Sequence, residues 1–351
     1  MTNGSTVSLE LGRAKGERHT KAASDAAKAN PLEVLYGPIR DELVQVEEIL
    51  QRELRSDYPF VDELVRHAGR LSGKRLRPAL LLLTGKATGQ IKDEHLLLSA
   101  VMEMIHTATL IHDDVLDEAD LRRHRETVNA RWNNEVSVLL GDYLFSHSFY
   151  LASTLESTFA AQCIGRSTNV VCRGEMLQVS NRNNYDLSEE QYFEIIDAKT
   201  AELTACCCLL GACYGGADEA LRLKLEKYGR DLGIAFQIAD DLLDVFGDED
   251  ATGKSLGTDL EKAKPTLPLI RLLSKADAVA RAELDAILEL AADERRQALL
   301  DRLRESDALA YAQDQAKKFA QRAGEAVADL PESDAQRTLL ALPEFVVSRR
   351  Q

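Results

Sequence analysis

Two five-residue segments constrain this chain more than any other feature. DDVLD occupies 113–117 and DDLLD occupies 240–244, so Asp113, Asp114 and Asp117 share one spacing with Asp240, Asp241 and Asp244. Each lies late in a long and otherwise largely apolar helical run, after Leu110-Ile111 in the first case and after Phe236 to Ala239 in the second. In a helix the first and last aspartate of each motif project from one face, ~5–6 Å apart at Cβ. Like charges at that spacing repel, and carboxylates buried without partners are costly. A solvated helix face explains one such segment. Two of them, both embedded in apolar sequence, point to facing helices of a bundle around a polar cavity. Hard oxygen ligands suit Mg2+, which is usually held by one or two carboxylates together with substrate phosphates. Arg122 and Arg123, just beyond the first motif, then complete a site for a Mg2+-borne diphosphate.

The rest of the chain reads as helix after helix. Apolar residues recur at three-and-four spacing from Pro31 to Leu54. Pro78 in a first turn and Gly89 at an end bound a further helix. A long helix is predicted from about Lys92 to Glu118. Ser188 to Gln191 form a capping box that opens a helix running to about Tyr214 and closing at Gly215-Gly216. Another is predicted over 217–246. No alternating β-branched series marks a strand. The expectation is an all-α fold, one large helical bundle over residues 31–351, preceded by a disordered extension over residues 1–30.

Composition narrows the function. A net charge of −15 argues against a nucleic-acid surface and a polybasic membrane anchor. No apolar run reaches the ~18 residues of a spanning helix, and residues 1–30 lack the apolar core of a secretory signal. The six cysteines form neither a CxxC pair nor a zinc spacing and fit small core residues in a reducing compartment, so the expected location is the cytoplasm. The segment DATGKS resembles the tail of a phosphate loop. The glycine that GxxxxGK[ST] requires at 248 is Asp248, however, and the segment follows a helix rather than a strand, so that reading fails.

Five segments, in order, resemble the polyprenyl synthetase (trans-isoprenyl diphosphate synthase) family over nearly the whole chain from residue 31. They are SGKRLRP, HTATLIHDDVLDEADLRR, FQIADDLLDVFGD, ATGKSLGTDLEKAKPTLP and the terminal EFVVSRRQ. Ser72, where a second glycine is common, and Ala263, where glycine is usual, depart from the family pattern and put local loop geometry in question.

The resemblance implies an isoprenoid-synthase bundle that joins isopentenyl diphosphate to an allylic diphosphate. It also implies Mg2+, about three ions per active site, a homodimer, and peripheral membrane contact for product release. It assigns Asp113, Asp117 and Asp240 to the metal, with Asp114 and Asp244 supporting them. Arg122 would contact the allylic diphosphate. Lys74, Arg77, His106 and Arg123 would hold isopentenyl diphosphate, which needs no metal; guanidinium forks match phosphate oxygens and lysine adds a point charge. Lys199, Thr200 and Gln237 would stand beside the breaking C–O bond, the lysine pairing with the leaving group and the two oxygens facing the developing carbocation. Lys254 and Lys264 would close over the diphosphate. The reaction implied is ionisation, condensation and elimination, and no protein nucleophile is needed.

Two rivals share parts of this pattern. A terpene cyclase or head-to-head condensing synthase would carry aspartate-rich helices but has no need of Lys74, Arg77 and Arg123. A non-catalytic subunit of a heteromeric synthase would be expected to have lost aspartates, and both motifs are complete. Product length is expected to depend on the helix carrying Asp113. Ala108 and Thr109, five and four residues earlier, are small, which leaves room past them until Ile105 or deeper bulk near Val101. The expected product is about thirty to fifty carbons, since a tail stops where side chains close-pack, and Ala108→Phe is expected to shorten it. Tyr143, Phe145 and Phe149 of a neighbouring helix are the alternative floor, which would leave a product of fifteen to twenty carbons, roughly.

Overall fold

The computed structural model describes residues 31–71, 73–246, 257–262 and 264–348. The extension over residues 1–30, Ser72, Lys254 and Ala263 lie outside the described residues. Among the described helices of eight residues or more, α1 is Arg40–Glu53, α2 Pro59–Leu71, α3 Leu76–Thr88, α4 Asp93–Leu116 and α5 Asn134–Ser153. Then follow α6 Phe159–Ser180, α7 Glu189–Ile196, α8 Glu202–Gly215 and α9 Glu219–Phe246. Last come α10 Leu267–Lys275, α11 Ala278–Leu288, α12 Ala292–Glu305, α13 Ala308–Val327 and α14 Asp334–Ser348. The all-α expectation holds. The only described strands are a two-residue pair, Leu121–Arg122 with Arg125–Glu126. Its turn residues Arg123 and His124 both have positive φ, 52° and 59°, the backbone of a type I′ hairpin turn.

α8 is the axis of the bundle. Every residue from Glu202 to Ala212 is buried, as a helix apolar on all sides must be. It packs along α3 and α9, and α9 in turn packs along α13. Close approach comes from small residues. Ala312, Ala316, Ala320 and Ala323 are buried on α13 at helical spacing. Cys206, Cys207 and Cys208 are buried free thiols of α8. Burial pushes the Cys206 thiol up to about 12, so these are inert packing groups.

Gly211 marks the tightest crossing, between α8 and α3: a Cβ there would stand 2.2 Å from the Leu81 carbonyl oxygen and 2.2 Å from Thr84 Oγ1. The obstruction is backbone, so it cannot rotate away. Gly211→Ala is expected to lower the unfolding free energy by about 1–3 kcal/mol, read as a lower urea midpoint. An unchanged midpoint would mean that the crossing is looser than drawn.

The helix predicted from the capping box is interrupted. Ser188 and Gln191 do form the reciprocal cap, and the far end does close on Gly216 in the left-handed region, φ 92°. Between α7 and α8, however, Asp197–Ala201 form a π-turn, a device that frequently marks functional sites.

Candidate active site

α4 delivers the first aspartate motif. Asp113 lies in its last turn and Asp117 caps it, the Asp117 N–H donating to the Asp113 carbonyl at 2.8 Å. Asp113 faces Lys199, whose Nζ is 3.6 Å from Oδ1. Asp114 points elsewhere and is buried; Arg122 donates to its Oδ1 from Nε at 2.8 Å and from Nη2 at 2.7 Å. Burial above all raises the Asp114 carboxyl, while Arg122 opposes the shift. Asp114 therefore holds Arg122, while Asp113 and the exposed Asp117 keep free oxygens. Two cations reach the end of α4: Arg182 donates to the Leu116 carbonyl at 3.0 Å, and Lys262 to the Asp117 carbonyl at 3.0 Å.

The π-turn and α9 supply the opposite wall. Lys199 Nζ donates to Glu175 Oε2 at 2.9 Å while also facing Asp113. Burial first, and the Asp113 charge second, raise the Glu175 carboxyl. Thr200 Oγ1 donates to Gln237 Oε1 at 2.8 Å, and Gln237 Nε2 donates to Asp241 Oδ1 at 2.9 Å. Tyr192 OH donates to the other Asp241 oxygen at 2.7 Å. Burial drives the Asp241 carboxyl up to about 7, against the pull of Lys264. Lys264 pairs with Asp259 at 3.2 Å, the main cause of its raised value, and so stays charged. Asp244 accepts the Asp259 N–H at 3.0 Å and thereby ties the loop that bears Lys264 to α9. These groups border a cleft of 410 Å³ lined by Asp117, Lys199, Thr200, Gln237, Asp241 and Lys264 among others.

A second zone is basic. Burial first, then the charges of Arg77, Arg122, Arg123 and Arg75, hold the His106 imidazole well below its ordinary range, so it is neutral. Arg77 Nε is buried without a hydrogen-bond partner, and burial lowers its guanidinium although Asp240 and Glu103 oppose this. Arg75 is engaged differently. It takes a left-handed backbone, φ 52°, and pairs with Glu47 and Glu103, each at 2.7 Å, anchoring the segment that presents Lys74 and Arg77. Gly73 leaves room for Arg123, whose Nη1 would lie 2.1 Å from a Cβ there.

Thr109 is half-buried, one turn before Asp113 on the same face. Ile105 and Ala108 are fully buried. Ala108 belongs to the same buried cluster as Leu64, Val65, Leu140 and Leu144, about 140° round the helix from Asp113.

Among the described residues, no three His, Cys, Asp or Glu side chains converge as a ready-made metal cage. The carboxylates still fit Mg2+. Asp113 and Asp117 stand one turn apart with only loosely approaching cations, at 3.6 and 3.8 Å, which suits an ion that arrives with waters and phosphate oxygens. Sequence reasoning gave no role to Glu175, Tyr192, Arg75 or Asp241. Asp241, in the second motif, and Arg75, in SGKRLRP, stood inside segments already singled out. The partners of Glu175 and Tyr192 lie far along the chain.

Residues 58–305 match the family model described as polyprenyl synthetase. The chain is 36% identical over 309 residues to an octaprenyl diphosphate synthase of Haemophilus influenzae, covering 88% of this chain and 94% of that one. Among solved structures it resembles a decaprenyl diphosphate synthase from Rhodobacter capsulatus with a TM-score of 0.86 and 34% identity, covering 92% of this chain and 100% of that one. It equally resembles a polyprenyl synthase from Caulobacter crescentus complexed with calcium and isoprenyl diphosphate, with a TM-score of 0.86 and 35% identity, covering 92% and 99%.

Proposed function

This chain belongs to the polyprenyl synthetase family and is a prenyltransferase making a medium- to long-chain polyprenyl diphosphate; from that premise we propose how its residues divide the work. The observation that carries the division is the contrast between two adjoining zones. One presents carboxylates with free oxygens, Asp113 and Asp117, and the other gathers arginines around a neutral imidazole. An allylic diphosphate with divalent metal suits the first, and metal-free isopentenyl diphosphate suits the second.

Asp113, Asp117 and Asp240 would hold Mg2+, in keeping with the calcium and isoprenyl diphosphate named for the Caulobacter crescentus structure. When bound, the metal supplies Lewis-acid neutralisation of the diphosphate leaving group. Lys199 and Lys264 face the diphosphate as the allylic C–O bond breaks and its electron pair leaves with oxygen. Thr200 and Gln237 turn oxygens toward the allylic carbon, where a positive charge develops. Arg77, Lys74, Arg123 and the His106 N–H orient isopentenyl diphosphate, so that its double bond attacks that carbon. A proton then passes from the new cation to the departing diphosphate, and the product is again allylic.

A homodimer accords with exposed apolar side chains on two adjoining helices. Val138, Leu139 and Tyr150 on α5, with Met176 and Val179 on the adjoining α6, are all at least 42% exposed, a patch of the kind that marks association. Six free cysteines and no described helix apolar enough to cross a membrane accord with a cytoplasmic setting.

The purified protein, given an allylic primer, labelled isopentenyl diphosphate and Mg2+, is expected to extend the primer and to lose activity in EDTA. No extension by the protein alone would return the subunit model; extension in EDTA would remove the metal assignment. The expected product, after dephosphorylation and chromatography, is about thirty to fifty carbons, with growth ended where the tail meets packed side chains. Thr109→Phe, on the Asp113 face, should shorten the product, and so should Ala108→Phe, which also overpacks a buried position at a cost of about 1–3 kcal/mol. Unchanged product length in Thr109→Phe would show that this face does not bound the tail.

A further inference from the structure

Besides the partners of Lys199 and Thr200, the π-turn Asp197–Ala201 is bridged end to end by one side chain. Arg230, on α9, donates from Nη1 to Asp197 Oδ1 at 2.6 Å and from Nη2 to Glu202 Oε2 at 2.7 Å. Those two acids flank the turn, one as its first residue and one directly after its last. In an unbroken α-helix, residues five apart stand about 140° apart round the axis, so a single planar fork could not serve both. The clamp therefore fits the π-turn and not an unbroken helix. Glu202 is itself fixed: it is 5% exposed, and its second oxygen accepts from Ser167 Oγ at 2.8 Å.

Packing also confines the turn. Gly174 of α6 lets Lys199 N and Ala198 Cβ come within 2.7 and 2.8 Å of where a Cβ would be. Gly233 of α9 does the same for Ala201 Cα at 2.6 Å. Neither glycine has a side chain to grip the turn, and Arg230 provides the polar grip. The consequence falls on the cleft. Without the extra residue of the π-turn, α7 would rotate by about 100° relative to α8. Lys199 could not then keep both Glu175 and Asp113, nor Thr200 its contact with Gln237. Gln237 lies two turns beyond Arg230 on the same helix face, so one rigid helix sets both partners of the Thr200–Gln237 contact.

We propose that Arg230 is a positioning residue of the reaction, locking the π-turn in the register that aims Lys199 and Thr200 into the cleft. The inference rests on the roles proposed above for those two side chains. Its forked geometry is the working part. A lysine keeps the charge but cannot hold Asp197 and Glu202 as one planar pair.

Steady-state kinetics of Arg230→Gln, Arg230→Lys and Lys199→Ala, with the Arg230→Gln/Lys199→Ala double variant, test this. Arg230→Gln is expected to lower kcat about 10- to 100-fold, the scale of an ångström-sized misplacement. Its KM for isopentenyl diphosphate should stay within about twofold, because that pocket is built on other elements. Arg230→Lys should recover part of the loss. In the double variant the Arg230 effect should shrink, to the part that acts through Thr200, since the part exerted through Lys199 is already lost. Circular dichroism and a urea midpoint check the fold. Should Arg230→Gln fail to fold, Asp197→Asn removes one arm of the clamp and carries the same expectation. Wild-type kcat in a folded Arg230→Gln or Asp197→Asn, or full additivity with Lys199→Ala, overturns the inference. If Lys199→Ala alone leaves kcat intact, the role assigned to Lys199 fails first, and the inference with it.

Discussion

Replacing Asp113 or Asp240 by alanine is expected to lower turnover by about three orders of magnitude, the largest effect any single substitution here should have. Lewis-acid stabilisation of a leaving group is worth several kcal/mol, and each ~1.4 kcal/mol is a factor of ten. The fold should survive. Asp113 contributes one carboxylate to a run of three, and its removal relieves repulsion with Asp114 and Asp117. Lys199 keeps its partner Glu175 at 2.9 Å, so no ammonium is stranded. The contrast lies with Asp114, whose carboxylate holds Arg122. Asp114→Ala frees Arg122 and leaves a half-buried guanidinium without its partner, so it should cost stability as well as rate. Circular dichroism, urea titration and turnover at saturating Mg2+ separate these outcomes. Near-normal turnover in both Asp113→Ala and Asp240→Ala would sink the metal assignment, whatever the family.

What could be read before the structure was what local rules determine. Paired carboxylates in apolar helical runs announce themselves, because no solvated helix needs them there twice. The capping box at Ser188 and the glycine stop at 215–216 are likewise local, and both appear where expected. The π-turn between them was invisible. It exists through Arg230, Gly174 and Gly233, which lie up to 33 residues away in sequence, and no periodicity rule sees such partners. Arg75 shows the same limit. Read only as one more basic residue of SGKRLRP, it proves to be an anchor, because Glu47 and Glu103 reach it from two other helices. Ala108 shows another limit. Its spacing before Asp113 is local and legible, but its neighbours are not, because Leu64 and Val65 come from one other helix and Leu140 and Leu144 from a second.

Arg77→Met should show a site working against the fold. Arg77 Nε is buried with no hydrogen-bond partner, and burial lowers the guanidinium below its ordinary value. An unpaired polar group of this kind costs roughly 1–3 kcal/mol, which an apolar side chain of similar length avoids. The substitution is therefore expected to raise the urea midpoint, by an amount equivalent to about 1 kcal/mol after some packing is lost. Binding should move the other way. A charge-assisted fork to a diphosphate is among the stronger polar contacts, so losing it should raise the KM for isopentenyl diphosphate about 100-fold, or close to 3 kcal/mol. The KM for the allylic substrate should change little, since its diphosphate is assigned to the aspartate zone. A third readout is local. The Arg77 charge is the largest of the four that depress the His106 imidazole, so its removal should move that group up toward the ordinary histidine range, visible by NMR titration. With the folded value still below the unfolded one, proton uptake continues to favour the unfolded chain as pH falls, but over a smaller gap. Arg77→Met should thus lose less stability than wild type between neutral pH and mild acid. A variant less stable than wild type, with an unaltered KM for isopentenyl diphosphate, would show that Arg77 is an ordinary structural arginine and that the second substrate sits elsewhere.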